Sequence, residues 1–246
     1  MPPVRTRSGY TKREPYPLNQ FPESVIQEIG KGLVHHMAIS SADISGDAFC
    51  RIFADAIEGE ALGKPLGVVD ARWNGCGWSV KTVKTLQNST PYDAERVRLI
   101  SGRNNPNYSA GISDPLADIQ ATGKVVLEIY NSRISEAREE YGDLRFLVFI
   151  RNLARREFVI FERPIDPIVI DNYSWSKNVN GNLEGHQGQK HVFTWQPHGS
   201  QFTIIEDVPP AVTRFRINQQ PSKIPRDHVL EVVRFNPEWI EINTEG

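Results

Sequence analysis

The chain has 246 residues, a net charge of −2 and a hydrophobic content of 39%, which is enough for one large domain or two small ones with a real core. The balanced charge gives no support to binding of nucleic acid by bulk attraction, so any such binding must use a local basic cleft. Cys50 and Cys76 are too few for a disulfide framework or a structural zinc site and predict a reduced, cytoplasmic protein. The absence of a run of about 18 apolar residues predicts no membrane crossing.

The N-terminal half is expected to be helical at first and then to form a hairpin. Residues 1–20 carry Arg5, Arg7, Lys12 and Arg13 among prolines and predict a basic arm, either a solvated tail or an arm that touches phosphates. Apolar spacing predicts a helix from Pro22 and a second over 43–58. The pair Asn-Gly between two β-branched runs predicts a hairpin over 66–86, because both turn positions require positive φ.

The middle and the last third change from helices to strands. We expect a short helix at 93–101, a polar loop, helix at 114–141 with a break near Gly123, and two strands within 144–163. A long polar loop at 171–190 and strand-like runs at 191–195, 201–208, 212–217 and 228–235 follow. This order predicts an α/β core with a β-rich C-terminal extension.

The hairpin carries an acid and a base. Alternation places Ser79 and Lys81 on one face of the second strand, and a short turn brings Asp70 of the first strand within a few ångströms of Lys81. In an arbitrary hairpin such a pair is a partly exposed ion pair worth less than about 1 kcal/mol.

An acid at the end of an apolar strand, a tight turn and a strand carrying Lys-Thr resemble the PD-(D/E)xK nuclease core. The resemblance covers roughly residues 43–163 and implies a restriction-endonuclease-like fold, a central mixed sheet flanked by helices. It divides the chain into a basic arm at 1–20, a catalytic core at 21–165 and a β-rich DNA-recognition extension at 166–246, packed with the core as one domain. It also implies that Asp70 binds Mg²⁺ and that Lys81 orients or activates the attacking water.

Ser79 departs from that family pattern, which has an acidic residue there. Restriction enzymes that cut CCGG-type sites carry Ser-x-Lys and take the missing carboxylate from the next helix, 12–13 residues after the lysine. Thirteen residues separate Lys81 from Glu95, so by this analogy Glu95 is the second metal ligand, although it also suits a helix N-terminus. Cys50 stands where the family often has a glutamate on the upstream helix, and the neighbouring acids Asp47 and Asp55 are the alternatives.

Polar side chains that suit DNA contacts cluster in four segments after the hairpin. Arginine reads guanine and asparagine reads adenine in the major groove, while other basic residues contact phosphates. Loop capping by asparagine and ordinary turns are the simpler explanations. The DNA-binding candidates are Arg103, Asn104, Asn105, Asn107, Lys177, His186, Gln196, His198, Gln201, Arg214 and Arg216.

The residues and the resemblance together predict a Mg²⁺-dependent Type II restriction endonuclease that acts as a homodimer on double-stranded DNA. Two alternatives stay open. One is a structure-specific nuclease of the repair or resolvase type. The other is a non-catalytic DNA-binding protein on a decayed nuclease fold, in which Ser79 and Cys50 mark the decay.

Overall fold

The computed structural model describes residues 15–63 and 68–242, and the cationic residues of the expected basic arm lie outside them. These residues form a mixed α/β structure with two sheets. None of their helices combines the length and apolar character that a membrane crossing requires. In chain order the elements are α1 (Glu23–Ile39), α2 (Gly46–Ala56), β1 (Glu60–Ala61), β2 (Ala71–Trp73), β3 (Cys76–Lys84), β4 (Arg96–Arg103), α3 (Pro106–Ala110), α4 (Ile119–Glu140), β5 (Asp143–Asn152), β6 (Glu157–Pro164), β7 (Ser174–Lys177), β8 (Leu183–Gln187), β9 (Lys190–Gln196), β10 (Gln201–Asp207), β11 (Thr213–Arg216) and α5 (Arg226–Val232).

The first sheet has the strand order β1-β2-β3-β5-β6-β11. Its strands β3 and β5 are parallel, while the other neighbours are antiparallel. A parallel pair needs a long crossover, and the chain between these strands supplies β4, α3 and α4. The predicted hairpin is confirmed: β2 and β3 are joined by Asn74 and Gly75, with φ of 44° and 81°.

The two N-terminal helices cover one face of this sheet. Both are confirmed as predicted, and Ser45 caps the second by accepting a hydrogen bond from the Ala48 N–H. Trp78 and Val80 of β3 point into the core beneath these helices. Because side chains alternate along a strand, Ser79 and Lys81 belong to the opposite face.

The second sheet has the order β4-β10-β9-β8-β7 and lies with α4 on that opposite face. One hydrophobic core contains Tyr130 of α4, Val148 of β5 and Phe202 of β10, so the two sheets share it. The sheets do not follow the expected division at residue 165. Strand β4 precedes that position and lies in the second sheet, whereas β11 follows it and forms the edge of the first.

The helix expected at 93–101 is wrong, because this segment is strand β4. Val97 and Leu99 are buried while Arg98 is exposed, which is the two-residue period of a strand with one face in the core. The expected break near Gly123 is also wrong, since α4 runs through it. A Cβ atom at Gly123 would lie 2.3 Å from the Trp175 ring, so the glycine allows a close approach to β7.

Two expectations for the last third are also corrected. The polar stretch 171–190 contains strands β7 and β8. Polar residues dominate both strands, but Trp175 and Leu183 alternate with them and are buried. The run at 228–235 is not a strand, since residues 226–232 form α5 after Pro225. β-branched residues favour strands only where a partner strand is available, and the segment of α5 pairs with no strand of the two sheets.

Candidate active site

Asp70 and Lys81 meet on the hairpin as the sequence predicted. Asp70 directly precedes β2, and its backbone N–H donates to the carbonyl of Trp78 at 2.7 Å. Its Oδ2 accepts a hydrogen bond from the Val80 N–H at 2.7 Å, and the Lys81 Nζ lies 3.7 Å from the same oxygen. The backbone of β3 therefore holds the carboxylate more closely than the lysine does.

Ser79 supports the same carboxylate. Its buried hydroxyl lies 3.5 Å from Oδ2 of Asp70, as a long hydrogen bond. Within the described part of the chain, Oδ1 of Asp70 accepts no hydrogen bond and is left to the cavity beside it. Asp70 thus keeps one oxygen for a ligand.

The acid and the base are held at an electrostatic cost. Burial raises the pKa of Asp70, although the Lys81 ammonium and the Val80 N–H act against this shift. Burial lowers the pKa of Lys81, although Asp70 acts against it. Both shifts show that the charged forms are less stable here than in water, which is typical of functional groups.

The pair opens into a cavity of about 1070 Å³ between the two sheets, which we call the cleft. Its walls come from the start of α2, the hairpin, the end of β4, α4 and the start of β10. Among the described residues four cations and two carboxylates line it, so it is locally basic although the whole chain is slightly acidic, and it suits a polyanion. The charged residues are Asp47, Arg51, Asp70, Lys81, Arg103 and Arg133.

The acids predicted to complete a metal site are placed very differently. Glu95 is exposed, does not line the cleft, and lies five residues before Ile100, the first cleft residue of β4, which is roughly 17 Å along a strand. The helix that was expected to bring Glu95 close to Lys81 is strand β4 instead. The reason for assigning Glu95 as a metal ligand is therefore removed. Asp47 lines the cleft on the first turn of α2, while Asp55 lies in a separate groove between α1 and α2.

Cys50 cannot replace the glutamate that the family pattern has on this helix. Its thiol donates to the backbone carbonyl of Asp70 at 3.1 Å. Burial, together with the nearby charges of Asp70 and Asp47, raises the pKa of the Cys50 thiol to about 12. The thiol therefore stays protonated near neutral pH, and Mg²⁺ prefers oxygen ligands to sulfur.

Three of the expected DNA-contacting residues lie side by side at the end of the second sheet. Gln201 of β10 is paired in register with Arg103 of β4 on one side and with Gln196 of β9 on the other. Arg103 and Gln201 line the cleft. His198 is exposed in the turn that joins β9 to β10.

Asn104 is not available to read a base, because it is fully buried. Its Nδ2 donates to the Val126 carbonyl at 2.8 Å, and its Oδ1 accepts from Arg133 at 2.9 Å. Asn105 caps α3 by accepting hydrogen bonds from the N–H groups of Asn107 and Tyr108, while Asn107 is exposed. The simpler explanation, capping, thus applies to Asn105.

The remaining candidates lie outside the cleft lining. His186 of β8 contacts the Ser176 hydroxyl at 3.1 Å, and Lys177 is exposed at the end of β7. Arg214 and Arg216 are exposed on β11, at the edge of the first sheet. The structure therefore does not bring these four residues to Asp70 and Lys81.

Sequence reasoning missed two cations of the cleft. Arg51 follows Cys50 on α2, and Arg133 lies in the middle of α4. No local pattern distinguishes them from solvated helix arginines, because only packing of α4 against β4 brings Arg133 to the hairpin.

No protein-family model matches the chain, and no curated protein and no solved structure shows significant similarity to it.

Relative to the wild type, the metal-free Asp70→Asn protein is expected to gain stability as pH rises from 4 to 7. Because the pKa of Asp70 is raised, the folded chain holds a proton that the unfolded chain has released, so stability falls as pH rises through this window. Asparagine keeps an acceptor for the Val80 N–H and removes the titration. Urea unfolding of both proteins across this pH range measures the difference, and a constant difference would contradict the raised pKa.

Proposed function

We propose that the chain is a Mg²⁺-dependent, sequence-specific double-strand DNA endonuclease of the Type II restriction class. The observation that carries this proposal is the Asp70–Lys81 pair at the wall of a locally basic cleft. The order of elements supports it. Helix α2, the hairpin of β2 and β3, helix α4 and strands β5 and β6 keep the order that the resemblance to the PD-(D/E)xK core implies, with β4 and α3 inserted before α4.

In this proposal the two carboxylates of the cleft lining hold a magnesium ion. Asp70 offers its free Oδ1, and Asp47 is the second carboxylate of the lining. Magnesium is commonly held by one or two carboxylates together with waters and substrate phosphate oxygens. In the described part of the chain no three His, Cys, Asp or Glu side chains converge, which leaves these two carboxylates as the protein's share. The bound ion would polarise the phosphoryl group and lower the pKa of a water molecule.

Lys81 acts on the negative charge that develops when a phosphodiester is attacked. Its Nζ lies 3.7 Å from Oδ2 of Asp70, and little of the side chain reaches solvent. In such a dry setting a positive charge stabilises an oxyanion more strongly than in water. Because burial lowers the pKa of Lys81, the neutral amine that can take a proton from the attacking water forms more easily here than in an exposed lysine. Ser79 positions the carboxylate and supplies no metal ligand.

Sequence is read, in this proposal, by the row of Arg103, Gln201 and Gln196. These side chains provide the donors and acceptors that match base edges in the major groove. Arg103 and Gln201 line the cleft and Gln196 is paired with Gln201, so bases near the scissile phosphate would face this row.

Digestion of plasmid and phage DNA in Mg²⁺ tests the function. Discrete fragments are expected from the wild type, and Asp70→Ala is expected to give none while still binding DNA. A smear would indicate the structure-specific alternative, and binding without cleavage would indicate the non-catalytic one. Unchanged cleavage by Asp70→Ala would refute the site assignment.

We also propose that the protein is a homodimer, with the C-terminal segment 223–242 as its contact surface. Lys223 and Ile224 fasten this segment to the end of α1, through the carbonyls of Met37, Ser40 and Ala38. Beyond them, none of its residues is buried. Its exposed apolar side chains offer roughly 600 Å² per chain, so a two-fold pairing would bury on the order of 1,200 Å², the lower limit for a stable interface. They are Val229, Val232, Val233, Trp239, Ile240 and Ile242.

Deletion of residues 221–246 is expected to convert the dimer to a monomer without unfolding the chain. The described part of this stretch contributes no buried side chain, so the core stays intact. Light scattering after size-exclusion chromatography measures the mass, and thermal unfolding checks the fold. The triple variant Val232→Ser, Trp239→Ser, Ile240→Ser keeps the full length and is expected to give the same result. An unchanged dimer mass for both would place the interface elsewhere.

A further inference from the structure

Arg133 of α4 projects a guanidinium across β4 into the cleft. Its Nη1 donates to Oδ1 of Asn104 at 2.9 Å and its Nη2 to the carbonyl of Arg103 at 2.5 Å. Both acceptors are neutral. Among the described residues no carboxylate forms an ion pair with it, and Glu136, one helical turn away, only attracts it from a distance.

This arginine is half-buried and still lacks a counter-charge. Its side chain is only partly exposed, and this partial burial lowers the pKa of Arg133. Buried charges in proteins are normally paired or bind a ligand, because an unpaired charge costs free energy. An anion in the cleft would supply the missing partner.

The backbone of β4 is shaped to admit this side chain. Gly102 has φ of +109°, and a Cβ atom there would lie 2.6 Å from Nη1 of Arg133. A side chain at position 102 would therefore push the guanidinium out of its place. The glycine is needed both for the backbone angle and for the space.

Asn104 holds the other side of the guanidinium from inside the protein. Its backbone N–H donates to Ser200, its carbonyl accepts from the Trp195 indole, and its Nδ2 donates to Val126. These bonds tie α4, β9 and the β9–β10 turn to the end of β4. Because the other polar atoms of Asn104 form these hydrogen bonds, its Oδ1 is held in place and orients the Arg133 guanidinium.

We propose that Arg133, positioned by Gly102 and Asn104, is a phosphate-binding residue of the cleft. The assignment rests on the proposed nuclease function in one respect: the phosphate is a phosphodiester of the DNA strand that passes Asp70 and Lys81. The guanidinium binds it by charge-assisted hydrogen bonds from the N–H groups that Asn104 and Arg103 leave free. Arg133 carries no sequence preference, since it contacts the backbone.

Binding of a short DNA duplex in Ca²⁺, with Mg²⁺ omitted, measures the effect without cleavage. Arg133→Gln is expected to weaken binding about 10- to 100-fold and to lower the slope of log affinity against log salt by about one. The matched control is Arg138→Gln on the same helix, because Arg138 is paired with Asp166 and does not line the cleft. It is expected to change affinity less than 2-fold.

Gly102→Ala tests the positioning through a double-mutant cycle. It is expected to weaken binding nearly as much as Arg133→Gln, while the double variant is no weaker than the worse single one. Thermal unfolding identifies any loss caused by the strained backbone. If Arg133→Gln binds DNA as tightly as the wild type does, the proposal for Arg133 is overturned while the proposed nuclease function is unaffected.

A second probe separates this proposal from the nuclease function. If the wild type binds no duplex, the nuclease function fails, and inorganic phosphate then tests the anion site alone. A rise in melting temperature with phosphate, absent in Arg133→Gln, would support the site. No rise in the wild type would overturn it.

Discussion

Lys81→Met is expected to slow Mg²⁺-dependent DNA cleavage about 10³-fold while changing DNA affinity less than 3-fold. Methionine fills the space of the lysine stem but removes the charge that stabilises the transition state. The Asp70 carboxylate keeps its hydrogen bond from the Val80 N–H, so it stays in place. Single-turnover cleavage at saturating enzyme measures the chemical step, and filter binding in Ca²⁺ measures affinity.

Lys84→Met is the control for this loss. Lys84 lies on the same strand, but it pairs with Asp43 at 3.1 Å outside the cleft. Its loss is expected to leave the cleavage rate within about 2-fold. A Lys81→Met enzyme that cleaves within 10-fold of the wild type would exclude the amine from the mechanism.

Glu162→Ala is expected to lower the free energy of unfolding by about 3–5 kcal/mol, the largest stability effect we foresee. Glu162 is fully buried beneath the hairpin and accepts hydrogen bonds from Tyr16, Trp78 and the Asn19 N–H. It also pairs with Arg145 at 3.1 Å, whose side chain is only 1% exposed. Alanine would leave the Tyr16 hydroxyl and the Trp78 indole N–H buried without their acceptor. Urea unfolding monitored by tryptophan fluorescence measures the change.

Glu157→Ala on the same strand shows what an outer ion pair contributes. Glu157 pairs with the half-exposed Arg155, and its removal is expected to cost less than about 1 kcal/mol. Equal losses for the two variants would mean that the buried network adds no stability beyond a surface pair.

The sequence predicted those parts of the fold that depend on neighbours in the chain. The hairpin followed from the positive φ at Asn74 and Gly75, and α1 and α2 from their apolar spacing. Strand β4 was missed because its short apolar run fits a helix or a strand. Pairing with β10 makes this segment a strand, and that partner is distant in the chain: Arg96 pairs with Asp207, 111 residues later.

The same limit applies to the candidate site, of which only the residues close together in the chain could be predicted. Asp70, Ser79 and Lys81 meet because one tight turn joins their strands. Asp47 could be proposed only as an alternative, since the path of α2 toward the hairpin is a matter of packing. Arg133 could not be found from sequence, because its place depends on Gly102 and on the burial of Asn104. Glu95 was misplaced by the same error that made β4 a helix.

The long crossover between β3 and β5 also sets the order in which the molecule is built. The pairing of β3 with β5 joins residues 67 positions apart, such as Cys76 and Asp143. Strand β4 can pair only after β10 has been made, more than 90 residues later in the chain. Topologies dominated by such distant contacts fold slowly, whereas a hairpin closes within microseconds. During synthesis the residues of the hairpin that carries Asp70 and Lys81 are complete long before those of the walls around it. The basic walls around them close only after Asp207 has left the ribosome, so a partly made chain has no cleft.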